Sequence, residues 1–102
     1  MDTNTLLTDI KARFAHNSAK AYLTEKYNAK LIVADQGGLW RATPELITTL
    51  LLHNHKSEIV LVDTFGNPVK VNREQLLTVL DKTYDTVMTE WHKEWQELET
   101  KR

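Results

Sequence analysis

The sequence predicts an α+β fold in the element order α-ββ-α-ββ-α, with one four-stranded antiparallel sheet packed by helices and a long C-terminal helix. Three observations carry that expectation. Two pairs of short β-prone runs, Leu31–Ala42 and Glu58–Val71, each enclose a glycine-bearing turn. Each pair leads directly into a segment with helix-start chemistry, at Thr43-Pro44-Glu45 and at Asn72-Arg73-Glu74-Gln75. The last segment then carries an apolar stripe at helical spacing, with no Gly or Pro to break it.

The elements follow in order. From Thr5 to Asn28, Leu6, Leu7, Ile10 and Phe14 recur three and four apart, which places them on one helical face. Thr3 or Asn4 is suited to cap this helix, and Asn28 to end it. His16-Asn17-Ser18 interrupts the pattern, so the segment reads either as one bent helix or as two. Leu31–Ala34 and Leu39–Ala42 flank Asp35-Gln36-Gly37-Gly38, a hairpin with glycines in its turn. Thr43 caps the next helix, Pro44 takes the first position where its missing N–H costs nothing, and Glu45 complements the positive end of the helix dipole. That helix carries Leu46, Ile47, Leu50 and Leu51 and ends near His53-Asn54-His55. Glu58–Asp63 and Val69–Val71 form a second hairpin about Gly66-Asn67-Pro68. Asn72 caps the last helix, with Gln75 placed for a capping box. Its stripe is Leu77, Leu80, Tyr84, Val87, Trp91, Trp95 and Leu98. The two hairpin-plus-helix halves read equally as a degenerate repeat or as two independent instances of one motif.

Composition narrows the functional classes. The 102 residues are 41% hydrophobic and 26% charged, enough apolar content for one packed core and too short a chain for two. The absence of cysteine excludes a disulfide scaffold, a thiolate metal site and a cysteine nucleophile. Thirteen basic against fourteen acidic residues give a net charge of -1, so there is no bulk attraction to nucleic acid or to an anionic membrane. No apolar run is long enough to span a bilayer. The polar, acidic start lacks the basic and apolar regions of a secretory signal. The expected location is the cytoplasm, which for a virus is that of the host cell, or the virion itself.

Candidate chemistry is sparse. His53 and His55 present two imidazoles at alternate positions, and with Glu58 or Asp63 they outline a small metal-dependent hydrolase. The competing reading is a polar helix end, where imidazole suits the negative dipole. Gly37-Gly38 leads into a strand rather than a helix, so it reads as a hairpin turn and not a phosphate loop. Asp35 and Asp63 occupy similar places in the two hairpins, either as an acid/base pair or as turn residues that bond backbone N–H groups. Lys11, Arg13, Lys20, Lys26 and Lys30 enrich the N-terminal third, but they are spread around the helix and diluted by Asp9 and Glu25. No cofactor, metal or catalytic residue is expected.

The last helix points elsewhere. Residues 73–99 as helix span about 40 Å, against a radius of gyration of about 13 Å for a compact domain of this size. Within a single domain covering 1–102, residues 85–102 are therefore expected to protrude as a helical interaction segment. Tyr84, Met88, Trp91, Trp95 and Leu98 form its expected protein-interaction face, flanked by Glu90, Lys93, Glu94 and Glu97.

Gly37-Gly38-Leu39-Trp40, Thr43-Pro44-Glu45-Leu46-Ile47, Gly66-Asn67-Pro68-Val69-Lys70-Val71-Asn72-Arg73 and Tyr84…Val87-Met88…Trp91 give the chain an overall pattern across residues 20–100. It resembles small accessory or structural proteins encoded by large tailed bacteriophages. The resemblance carries no catalytic motif and implies a virion, assembly or host-takeover role. The expected function is a non-enzymatic binding or assembly protein that forms a homo-oligomer or binds another phage or host protein. A regulator that inhibits a host protein or nucleic acid is the alternative, and the His53/His55 hydrolase a second.

Overall fold

The computed structural model describes residues 3–100. The element order is as expected: α1 (Thr3–Lys30), β1 (Ile32–Asp35), β2 (Gly38–Arg41), α2 (Pro44–Leu52), β3 (Glu58–Val62), β4 (Pro68–Asn72) and α3 (Arg73–Thr100). Thr3 and Asn4 lie inside α1 rather than capping it, His16-Asn17-Ser18 does not divide it, and it runs past Asn28 to Lys30. The first segment is one continuous rod of 28 residues.

The two helix starts in mid-chain have the caps their sequences indicate, except that the expected capping box at α3 is replaced, because the Asn72 N–H donates to Gln36 rather than to Gln75. Thr43 Oγ1 accepts from the Leu46 N–H at 3.3 Å, with Pro44 at the first helical position. Asn72 ends β4 and caps α3 at once, its Oδ1 accepting from the Gln75 N–H at 2.9 Å. No linker separates that strand from that helix, so the direction of α3 is set by the second hairpin.

The expected single four-stranded sheet is replaced by two separate two-stranded ones, β1–β2 and β3–β4, each antiparallel. The reason lies in how the hairpins meet. The contact runs through turn and terminal groups instead of a strand ladder. The Thr64 N–H donates to the Leu39 carbonyl at 2.9 Å, and the Leu39 N–H donates to Asp63 Oδ2 at 3.3 Å. On the other side, the Gln36 side-chain amide copies a strand pairing. Its Oε1 accepts from the Asn72 N–H at 2.7 Å and its Nε2 donates to the Asn72 carbonyl at 3.3 Å. These bonds occupy groups that a continuous ladder would need.

The first turn has two central residues with positive φ, Gln36 at 50° and Gly37 at 80°, the geometry that matches the right-handed twist of paired strands. The second is a three-residue loop closed by the Asp63 N–H to Asn67 carbonyl bond at 2.9 Å, with Gly66 at φ 81°.

The core lies where both hairpins and α2 meet the C-terminal part of α1 and the first half of α3. Tyr27, Trp40, Ala42, Leu50, Val71, Leu76 and Leu80 are almost wholly enclosed there. Arg73 is buried with them: its Nε donates to the Lys56 carbonyl at 3.0 Å and its Nη1 to the Leu50 carbonyl at 3.1 Å. One side chain thus holds α2's last turn and the following loop against the start of α3.

Beyond the core, α1 and α3 run side by side in opposite directions. The result is an elongated molecule, 66 × 24 × 19 Å, with a radius of gyration of 19.4 Å.

Candidate functional site

The five side chains expected to form an interaction face fall into two groups. Tyr84, Trp91 and Leu98 are half-buried and pack against the core cluster of their own chain. Trp91 stacks on Tyr27 with ring centroids 5.8 Å apart and planes within 11°. Met88 is also half-buried. Trp95 sits at the margin, 38% exposed and stacked on His92. α3 therefore has α1 along one side, from Lys30 beside Glu90 to His16 beside Glu99. Residues 101 and 102 of the segment expected to protrude lie outside the described residues.

The charges along this seam are complementary, with α1 basic and α3 acidic. Glu94 Oε1 accepts from Lys26 Nζ at 2.8 Å and from the Tyr27 hydroxyl. Lys30 Nζ lies 3.5 Å from Glu90, and His16 Nε2 lies 3.3 Å from Glu99. The Lys26 bond, then the Tyr27 bond, hold the Glu94 carboxyl below its ordinary range. The same contacts raise Lys26 and Tyr27 above theirs. Glu90 and Glu94, expected to flank a contact with another molecule, thus pair within the chain. So do three of the five basic residues of the N-terminal third, since Arg13 lies 3.0 Å from Asp9.

The structure separates the sites of candidate chemistry. Both Asp63 oxygens are engaged by backbone: Oδ1 accepts from the Phe65 and Asn67 N–H groups, each at 3.0 Å, and Oδ2 accepts from Leu39. The bond from Asn67, then those from Leu39 and Phe65, lower its pKa against the opposing effect of burial. Asp35 Oδ2 accepts from its neighbour Gln36. His53 ends α2, its N–H donating to the Thr49 carbonyl at 3.3 Å, and its ring lies 6.1 Å from that of His55. The groove that His53 lines with Lys56, Glu58 and Lys70 includes neither aspartate. Among the described residues, no three His, Asp or Glu side chains converge as metal ligands.

Folded-state pKa values of Asp63 and Glu94 that are lowered mean that both bind protons more weakly than in the unfolded chain. Their contribution is complete above the ordinary carboxylate range and is lost as pH falls through the lowered values. Lys26 and Tyr27 are raised, so theirs is complete below the ordinary ammonium and phenol values and is lost at higher pH. Urea midpoints measured against pH should therefore show a plateau with an acid and an alkaline limb. Asp63→Asn combined with Glu94→Gln should flatten the acid limb, and an unchanged limb would remove these two groups as its source.

The feature that sequence reasoning missed is the first half of α1. Within residues 3–15, Leu6, Leu7, Ile10 and Phe14 are 47%, 49%, 52% and 74% exposed. Their 3–4 spacing was visible as an amphipathic face, but spacing does not tell which surface covers it. A concavity of about 630 Å³ lies at the junction, where Ala12, Ala15 and His16 meet Leu98. Its Asp9 and Arg13 pair with each other and its His16 with Glu99. No helix is long and apolar enough to cross a membrane. No protein-family model, curated protein or solved structure matches the chain.

Proposed function

We propose that this chain is a non-enzymatic association module that acts through an apolar helical arm. The observation that carries this reading is the stripe Leu6, Leu7, Ile10 and Phe14, displayed on a helix that the domain leaves uncovered. An isolated exposed leucine means little, but four apolar side chains on one face of a projecting helix form a patch of the kind that other polypeptides bury. Trp95 at the margin of α3 adds a second apolar contact. The engagement of Asp63 by backbone and of Lys26 and Lys30 by glutamates supports this reading over the hydrolase and the nucleic-acid regulator. An assembly or host-directed role in a phage, as the sequence resemblance implies, suits a module of this design.

The test is affinity purification from the native or infected cell with the tagged chain and with Ile10→Asp. The arm lies outside the core, so the variant should keep its helical circular dichroism and melting midpoint. A stoichiometric protein partner, this chain included, should be retained by the parent and lost from the variant. Equal retention by both would overturn the proposal.

A further inference from the structure

The arm's sequence says more than that it binds something: it is complementary to itself. In a helix each residue advances about 100°, which places Leu6, Leu7, Ile10 and Phe14 on one side and Leu23 and Tyr27, which face α3, roughly 130° away. The apolar stripe thus points away from α3, and a partner laid along it meets no obstruction from the chain's own seam. It also stops at Phe14: Asn17, Ala21 and Asn28 continue the same side as a polar or small surface. Along α1, the exposed apolar face is confined to the arm.

Leu6, Ile10 and Phe14 form a ridge at i, i+4, i+8, the row that interdigitates when two helices cross in the commonest globular packing. Place a second arm antiparallel on the first with a two-fold axis at Ile10. Ile10 then meets its own copy, and Leu6 comes level with Phe14 in both halves of the contact, large ring against smaller branched chain. Asp9 and Arg13 lie on one flank of the ridge, 3.0 Å apart within one chain. In an antiparallel pair like flanks meet, so Asp9 of each copy comes within reach of Arg13 of the other, twice over. Complete burial of the exposed parts of these side chains from both arms would remove at most roughly 1,000 Å² of surface, about the size a specific interface must clear and in the range of a weak, concentration-dependent pair.

We infer that the arm's occupant is a second copy of this chain, joined through a two-fold antiparallel crossing of the two α1 arms centred on Ile10. The inference rests on the association reading above and names its partner. A symmetric contact of this kind is self-limiting, because each arm has one such face and both are used.

The experiment uses the purified full chain. Light scattering should give a mass approaching twice the 11.8 kDa chain at high micromolar concentration, falling toward one chain on dilution. Ile10→Asp should remain at the single-chain mass with its fold intact by circular dichroism. The chain has no cysteine, so single cysteines report geometry without background. Ile10→Cys should oxidise to a disulfide-linked dimer many times faster than Tyr22→Cys, which is more exposed but outside the stripe. A mixture of Leu6→Cys and Phe14→Cys should give the mixed dimer in preference to either homodimer. A single-chain mass at every concentration, with Ile10→Cys and Tyr22→Cys oxidising alike, would overturn the inference. If that chain still captures a different protein through Ile10, the association reading survives and only the second copy is refuted. If Ile10→Asp loses no partner either, both fall.

Discussion

Gly38→Ala is expected to destabilise the protein by about 2–3 kcal/mol, the cost of forcing an atom into a filled core. A Cβ on Gly38 would stand 2.5 Å from Cζ2 and 2.8 Å from Cε2 of the Trp40 indole, well inside any real contact. The indole cannot swing aside cheaply, because the ring is 1% exposed and its Nε1 donates to the Asp35 carbonyl at 2.9 Å. Gly37 gives a contrast within the same turn. Its φ of 80° favours glycine, but nothing lies within 4 Å of its missing Cβ, so Gly37→Ala should cost about 1 kcal/mol in backbone strain. Urea melts followed by tryptophan fluorescence would rank the two. In a Trp40→Phe background the smaller ring should absorb much of the Gly38→Ala penalty, and a double-mutant cycle measures that relief. Additive losses would show that the indole is not what excludes the Cβ. The sequence marked this position as a turn residue needing glycine, whereas the structure assigns its need to close approach.

Arg73→Met is expected to cost a similar amount, about 2–3 kcal/mol, because a charge-assisted bond to the buried Leu50 carbonyl and a second, partly buried one to Lys56 are lost. Leu50 and Lys56 would each lose the guanidinium donor that now serves them. Methionine fills much of the same space, so the loss reports hydrogen bonding more than cavity formation. Arg73→Lys should recover little of it, since one ammonium cannot reach two carbonyls as the planar fork does. Equal melting midpoints for Arg73→Met and the parent would show that water satisfies those carbonyls as well as Arg73 does.

These two positions illustrate how far the sequence could be read. Helix starts are local events, so Thr43-Pro44-Glu45 and Asn72 identified α2 and α3 before any tertiary contact was known. The hairpins were legible for the same reason, as two glycine-bearing turns between β-prone runs. How the hairpins meet was not. Gln36 imitating a strand and Asp63 holding the preceding hairpin depend on residues 36 and 24 positions away, and strands of four and five residues carry no signal for which edges adjoin. The seam was hidden similarly. Lys26 and Glu94 each look like solvated charge, and only a contact 68 residues apart in sequence makes them a pair with Tyr27 between. Trp91 reads from sequence as an aromatic in need of cover, and that cover comes from Tyr27 of the same chain. The leucines near the start of the chain, equally apolar and equally periodic, remained outside.

That division of α1 has a consequence for its order. A 13-residue helix on its own lies near the limit of what holds together in water, since nucleation is costly and packing supplies most helical stability. The first half of α1 escapes nucleation, because its second half, clamped to α3, serves as a template from which winding propagates outward. Propagation without packing gains little per residue, so in a lone molecule the tip is expected to be less stably wound than the base. Any partner that grips Leu6 and Leu7 must draw from the wound fraction. Its apparent affinity is the intrinsic one diluted by that fraction. Substitutions at exposed arm positions far from the contact, such as Thr8→Ala, thereby tune binding through helix propensity without touching the partner at all.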